Sequence, residues 1–181
     1  MSVLRSRVLG ITALLGLALT GLSAGAAAAP AEPAQSSAAD KTVVLHTVND
    51  PNLVVDMAAG SSAPGTRVIL YPKHGGTNQQ WEKVPVQGDW FQLKNKASGT
   101  CLVNGYHSVE NGHKLTGYGC NSGYEDQLWA FVPVKGSDQF ALVNKYSGKC
   151  MDQTLEAVTS TQVTQWTCHG LAHQLFTAEY V

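Results

Sequence analysis

The chain carries no surplus of either charge: of its 181 residues, 12 are basic and 13 acidic, a formal net charge of −1. An electrostatic footprint on phosphate needs a basic patch, so nucleic acid is not an expected partner. The four cysteines include no C-x2-C element, which removes the common zinc frameworks. There is no Gly-x-Ser-x-Gly nucleophile elbow and no His-Glu-x-x-His zinc motif. Past the first residues no stretch keeps a helical period for three turns, which argues against helical architectures. The longest apolar run, residues 8–22, falls short of the roughly 20 residues that a bilayer-crossing helix needs.

That run has another reading. Residues 1–28 open with Ser2, Arg5 and Arg7, continue through the apolar stretch and end in small residues with an Ala-x-Ala pattern, the layout of a secretory signal peptide. Pro30 disfavours cleavage just before it, so the cut is expected after Ala26 or Ala28. The protein is then secreted and extracellular, with no membrane span in its mature form, and the alanine-rich leader suits a bacterial origin. Residues 29–41 are Ala, Pro, Ser and Gln with scattered charge, too poor in apolar residues to pack, and read as a disordered linker. Residues 42–181 remain as one domain of about 140 residues. Without the two leader arginines, 10 basic residues face 13 acidic ones, a net charge of −3.

What the domain does contain is a repeat. Asn78-Gln79-Gln80-Trp81 is followed 48 residues later by Gln127-Leu128-Trp129, and 47 residues after that by Gln174-Leu175-Phe176. Phe91-Gln92-Leu93-Lys94-Asn95 matches Phe140-Ala141-Leu142-Val143-Asn144, and Ser98-Gly99-Thr100-Cys101-Leu102 matches Ser147-Gly148-Lys149-Cys150-Met151. An earlier, more diverged copy has Val43 and Leu45 for the Phe and Leu, and Leu53-Val54-Val55-Asp56 for the cysteine segment. Three units result, residues 43–85, 90–134 and 139–180, each a supersecondary module that needs its neighbours to complete a core.

Within the first unit the apolar residues come in short β-branched or aromatic bursts, at 43–45, 53–55, 67–71 and 81–84. Turn formers separate them, such as Asn49-Asp50-Pro51-Asn52, the 60–65 segment and Gly75-Gly76. Four strands in each of three copies predict an all-β structure of twelve short strands, closed so that no sheet edge is left open. The cysteines fall as Cys101 with Cys120 in the second repeat and Cys150 with Cys168 in the third, and an exported protein meets an oxidising compartment. Pairing within repeats is the simplest of the three connectivities, and each loop is near the length for which chain entropy gives roughly 3 kcal/mol.

The Gln-x-Trp repeats, the Cys150-Met151-Asp152 and Val54-Val55-Asp56 segments and the run Gln165-Trp166-Thr167-Cys168-His169 resemble those of ricin B-type lectins and family 13 carbohydrate-binding modules. The resemblance covers essentially the whole mature chain and implies a β-trefoil of three repeats of ~45 residues. Departures are Phe176 for the third Trp, the first repeat's lack of cysteines, and Val103 where the second repeat would carry Asp.

In ricin-type sites the Asp accepts from two adjacent sugar hydroxyls, the aromatic stacks on the apolar sugar face and later polar residues donate back, which is the chemistry a pyranose demands. The resemblance carries these roles to Asp56, Tyr71, His74, Asn78 and Gln79 in the first repeat and to Asp152, Trp166, His169, His173 and Gln174 in the third. His173 stands where the family usually has Asn, which makes hydrogen bonding there pH-sensitive, since imidazole titrates near neutrality. Tyr118, Asn121 and Gln127 are in place in the second repeat. Val103 cannot accept a hydrogen bond, however, and Asp126 replaces the usual Asn, so that site is expected to be weak or dead.

Blander readings stand beside these. Trp81, Trp129 and Phe176 recur even where the Asp is missing and read as core. Gln79 and Gln174 equally suit a role of orienting Asp56 and Asp152, and both acids equally suit strand-end turns. His169 and His173, four apart, look like a metal pair, but Gly170 lies between them and argues against a helix, so neither a metal nor another cofactor is expected. His46, His107 and His113 have no evident partners and read as surface residues. Asp56 and Asp152 lie in different repeats, unsuited to the paired carboxylates of a glycosidase, so the chain is not expected to be an enzyme. The expected partner is a polysaccharide or glycan, of galactose or xylan type by resemblance, with the oligomeric state open. The competing class is a protein-binding trefoil such as a secreted protease inhibitor.

Overall fold

The computed structural model describes residues 41–156 and 158–181. The expected signal peptide and nearly all of the expected linker lie outside the described residues. The first repeat forms β1 (Thr42–Thr47), β2 (Leu53–Met57), β3 (Thr66–Pro72) and β4 (Trp81–Gln87). The second forms β5 (Trp90–Asn95), β6 (Cys101–Val103), β7 (Thr116–Tyr118) and β8 (Trp129–Pro133). The third forms β9 (Phe140–Asn144), β10 (Cys150–Asp152), β11 (Thr164–Trp166) and β12 (Leu175–Tyr180). These are the twelve short strands expected, and each first-repeat burst falls inside its strand.

β1, β4, β5, β8, β9 and β12 pair antiparallel in a closed ring, which leaves the barrel no open edge. The hairpins β2–β3, β6–β7 and β10–β11 cap one end. They meet one another through Thr66 opposite Gly117 and through bridges from Ile69 to Gln162 and from Lys114 to Thr164. Gly117 lets the hairpins approach closely: a Cβ would stand 2.6 Å from Met57 Cε and 2.8 Å from Thr100 Oγ1, so any larger residue there has to displace both side chains. The whole is a β-trefoil.

The core repeats in threes. Leu45, Leu93 and Leu142 from the barrel, Val55, Leu102 and Met151 from the first cap strands, and Val68, Leu115 and Val163 all join one buried cluster. Trp81, Trp129 and Phe176 are fully buried at its centre. Trp81 Nε1 donates to Val55 O at 3.0 Å and Trp129 Nε1 to Leu102 O at 3.1 Å, and Phe176 fills the third position without a donor. Loss of such a ring costs about 3–5 kcal/mol.

Two asparagines tie neighbouring repeats together and hold the turns on which function depends. Asn95 Nδ2 donates to Asn78 O at 2.8 Å, and Asn144 Nδ2 donates to Asp126 O at 3.0 Å. The third position is Thr47, whose hydroxyl instead donates to Asp50 O, so the turn at His173 lacks this clamp. There Gln153 takes over, its backbone N–H donating to His173 O at 3.0 Å and its side chain to Ala172 O at 3.2 Å. Both disulfides form within repeats, Cys101 with Cys120 and Cys150 with Cys168.

Candidate functional site

The first and third cap hairpins end in the same local arrangement. In the first repeat Asp56 on β2 sits opposite Ile69, and Tyr71 on β3 sits opposite Val54. Strand alternation puts the carboxyl and the ring on the same side of the hairpin. Asp56 is only 2 % exposed, whereas Tyr71 is 39 % exposed. His74 follows β3, lies edge-on to Tyr71 with ring centroids 5.9 Å apart, and brings Nε2 to 3.6 Å from Asp56 Oδ2. Asn78, on the short 3-10 turn Thr77–Gln79, donates from Nδ2 to Asp56 Oδ2 at 2.8 Å. Burial raises the Asp56 pKa above the ordinary carboxylate value, and hydrogen bonds from Gln79, Asn78 and His74 oppose that rise.

The third repeat is built alike. Asp152 on β10 is buried opposite Thr164, and Trp166, 44 % exposed, lies opposite Cys150. His169 Nε2 stands 4.0 Å and His173 Nε2 3.7 Å from Asp152 Oδ2. The carboxylate is held by Thr154 N–H on Oδ1 at 2.7 Å and by Gln174 Nε2 on Oδ2 at 2.9 Å. A hollow of about 450 Å³ opens over this set, lined also by Leu155, Leu171 and Gly112 of the second repeat. The two leucines and the neighbouring loop at Asn111 and Gly112 escaped the sequence reading, since nothing in their own spacing links them to Trp166.

The glutamines of the triplets do something other than face a ligand. Gln79, Gln127 and Gln174 are all buried, and each staples the loop in front of it. Their Oε1 atoms accept from the backbone N–H of His74, Asn121 and His169 at 2.8–2.9 Å. Their Nε2 atoms donate to the carbonyls of Pro72, Gly119 and Thr167 at 2.9–3.1 Å. Of the two roles open to Gln79 and Gln174, the geometry favours orientation. Trp81, Trp129 and Phe176 are core, as read.

In the second repeat Val103 is buried at the position of the two acids, and Tyr118 is 51 % exposed. Asp126 brings a carboxylate in from the 3-10 turn instead, but it takes the place where the first repeat has a donor, so one half of the acceptor–donor pair is missing. Its Oδ1 is buried without a hydrogen-bond partner among the described residues, and His107 Nδ1 lies 3.7 Å from its Oδ2. Asn121 spends its side-chain oxygen on Gly123 N–H at 2.9 Å. His107 therefore has a partner that sequence reading did not find, brought about by positive φ at Tyr106 and His107. His46 is likewise tied, to Pro51 O at 2.7 Å and Glu179 at 2.9 Å. His169 and His173 also converge without a helix, their ring centroids 4.7 Å apart, because the 3-10 turn Ala172–Gln174 brings the second ring back toward the first.

An acid, an exposed ring and polar side chains at the head of the first and third cap hairpins form a shallow cradle for a hydroxyl-rich ligand with an apolar face. The sequence matches the ricin-type beta-trefoil lectin domain over residues 41–176. The chain belongs to that family. No curated protein is significantly similar to it in sequence. Among solved structures, the lectin domain resembles a designed threefold-symmetric protein, ThreeFoil, with a TM-score of 0.73 and 26% identity over 77% of this chain and 99% of the other. It also resembles an exo-beta-1,3-galactanase from Clostridium thermocellum, with a TM-score of 0.73 and 25% identity over 78% of this chain but only 30% of that one. A ricin B-like lectin of Macrolepiota procera, solved with lactose, shares the fold with a TM-score of 0.66 and 21% identity over 81% of this chain and 99% of the other.

Proposed function

We propose that the protein is a secreted, non-catalytic carbohydrate-binding lectin that takes single sugar units in the first and third repeats. The observation that carries this reading is the twofold recurrence of a buried, oriented carboxylate beside an exposed aromatic ring, Asp56 with Tyr71 and Asp152 with Trp166. Family membership supports carbohydrate binding in general, and the lactose complex and the galactanase among the similar structures favour galactose-type ligands over xylan-like chains. In each site the acid accepts from two adjacent hydroxyls, the ring stacks on the C–H face, and Asn78 or an imidazole donates back. The second repeat binds weakly, for want of that acceptor–donor pair.

Sites this shallow hold one sugar at around millimolar Kd, about 4 kcal/mol. Avidity on a polymer or glycan-coated surface then depends on a ligand that spans both sites. The test is a glycan array and insoluble-polysaccharide pull-down with the wild type beside Asp56→Ala/Asp152→Ala. Retention of the wild type alone is expected. Equal retention of both proteins refutes the site assignment, and retention of neither shifts weight to a protein-binding trefoil.

A further inference from the structure

The third repeat differs from the first by one decisive substitution, His173 at the position of Asn78. An amide at that position offers a donor, whereas a neutral imidazole offers a nitrogen lone pair. With it, Asp152, His169 and His173 place one oxygen and two nitrogens all within 4.8 Å of one another. We propose that this cluster binds a divalent transition-metal ion of the zinc type through Asp152 Oδ2, His169 Nε2 and His173 Nε2. Two imidazoles and one carboxylate suit zinc and its first-row neighbours and are a poor set for calcium or magnesium, which take oxygen ligands.

Metal–ligand lengths of about 2.0–2.2 Å put tetrahedral ligand atoms roughly 3.3–3.5 Å apart, so the 3.7 and 4.0 Å separations from Asp152 need a small contraction, and the third, between the two imidazoles and within 4.8 Å, needs up to about 1.5 Å, which rotation of the rings must supply. The contraction has room to occur. His169 is exposed, so its ring can rotate while Gln174 holds its backbone N–H, and the turn at His173 is held by Gln153 in place of the asparagine that clamps its two counterparts. The outer contacts a metal ligand requires are already present on Asp152, from Thr154 N–H and the Gln174 amide. One bond must give way: His169 Nδ1 accepts from Leu171 N–H at 3.3 Å, and a metal on Nε2 moves the ring proton to Nδ1. At that length the loss is minor. Three protein ligands leave the remaining positions open toward the hollow beside Trp166, to water or to hydroxyls of a bound ligand.

The metal site does not rest on the lectin reading. Its test is calorimetric titration of the metal-stripped protein with Zn²⁺, and the visible spectrum with Co²⁺, both without sugar. One ion per chain is expected. His173→Asn, which installs the first repeat's residue, should weaken uptake by more than about 100-fold, beyond the loss typical of an outer-contact change. His113→Ala should leave uptake unchanged. A melting curve checks that His173→Asn folds, and the exposed His169→Ala serves if it does not. No zinc uptake by the wild type, or undiminished uptake by the folded variant, overturns the proposal. Sugar retention measured in EDTA decides the lectin reading separately.

Discussion

Asp56→Asn separates the two roles that a buried strand-end carboxylate can have. The wild-type carboxyl is almost fully enclosed and its pKa is raised by burial, so at neutral pH the folded state bears the cost of an ionised group held out of water. A raised acid pKa means that this cost is present above the folded-state value and is relieved as pH falls through it. The amide removes the charge and keeps an oxygen for Asn78 Nδ2, which lies at 2.8 Å. The melting temperature at pH 7 should therefore hold or rise, and the advantage of the variant should shrink on acidification. Binding should suffer instead. A hydrogen bond to a charged acceptor is worth about 1.5–3 kcal/mol, or roughly 10- to 150-fold in affinity. The assay is retention on a galactose-bearing matrix in an Asp152→Ala background, so that the first repeat is read alone, with thermal melts from pH 7 to 4. A fall of about 4 °C or more at pH 7, the mark of a lost kcal/mol or so in a domain of this size, would refute the reasoning and make Asp56 a structural turn residue.

Reduction of Cys101–Cys120 and Cys150–Cys168 should lower stability by about 3 kcal/mol per bridge, seen as a lower denaturation midpoint in reductant, because each closes a loop of 18 or 19 residues. Trp129→Phe should fold, since Phe176 occupies the equivalent position, but should lose about 1–3 kcal/mol in a urea titration by leaving Leu102 O without its donor. Glu179, bonded to Lys73 and His46, has a lowered pKa from those two contacts. Its contribution is present above the ordinary glutamate value and lost as pH falls through the lower folded one. Glu179→Gln should thus cost under about 1 kcal/mol at pH 7 and nothing at strongly acid pH, read by melting across that range.

Most of the fold was legible because its determinants are local and repeated. Gln-x-aromatic recurrence and strand-length apolar bursts follow from a core that three copies build together, and the cysteines fall as one pair in each of the last two repeats. The acid and aromatic pairs were legible for the same reason, as strand alternation ties Asp56 to Tyr71 across one hairpin and Asp152 to Trp166 across another. What could not be read was direction. Spacing does not say that Gln79 turns inward to staple the His74 loop, or that positive φ at His107 swings its ring toward Asp126. Nor does Gly170 between His169 and His173, φ 73°, prevent convergence, since a 3-10 turn brings the second ring back over Asp152. Side chains supplied by a neighbouring repeat, such as those near Gly112, are invisible to any reading confined to one unit.

The most direct test of sugar binding in the cap hairpins is a titration of the nitrogen-15-labelled protein with lactose, followed by NMR at the tryptophan indole N–H signals. Trp166 is exposed in the third-repeat hollow, while Trp81 and Trp129 are fully buried and bonded to backbone carbonyls. Ligand seated on Asp152 and Trp166 should shift the Trp166 indole progressively, with a midpoint around millimolar, leave Trp81 and Trp129 in place, and lose its effect in Asp152→Ala. A Trp166 signal that stays put while signals elsewhere on the surface move would contradict the assignment of the site.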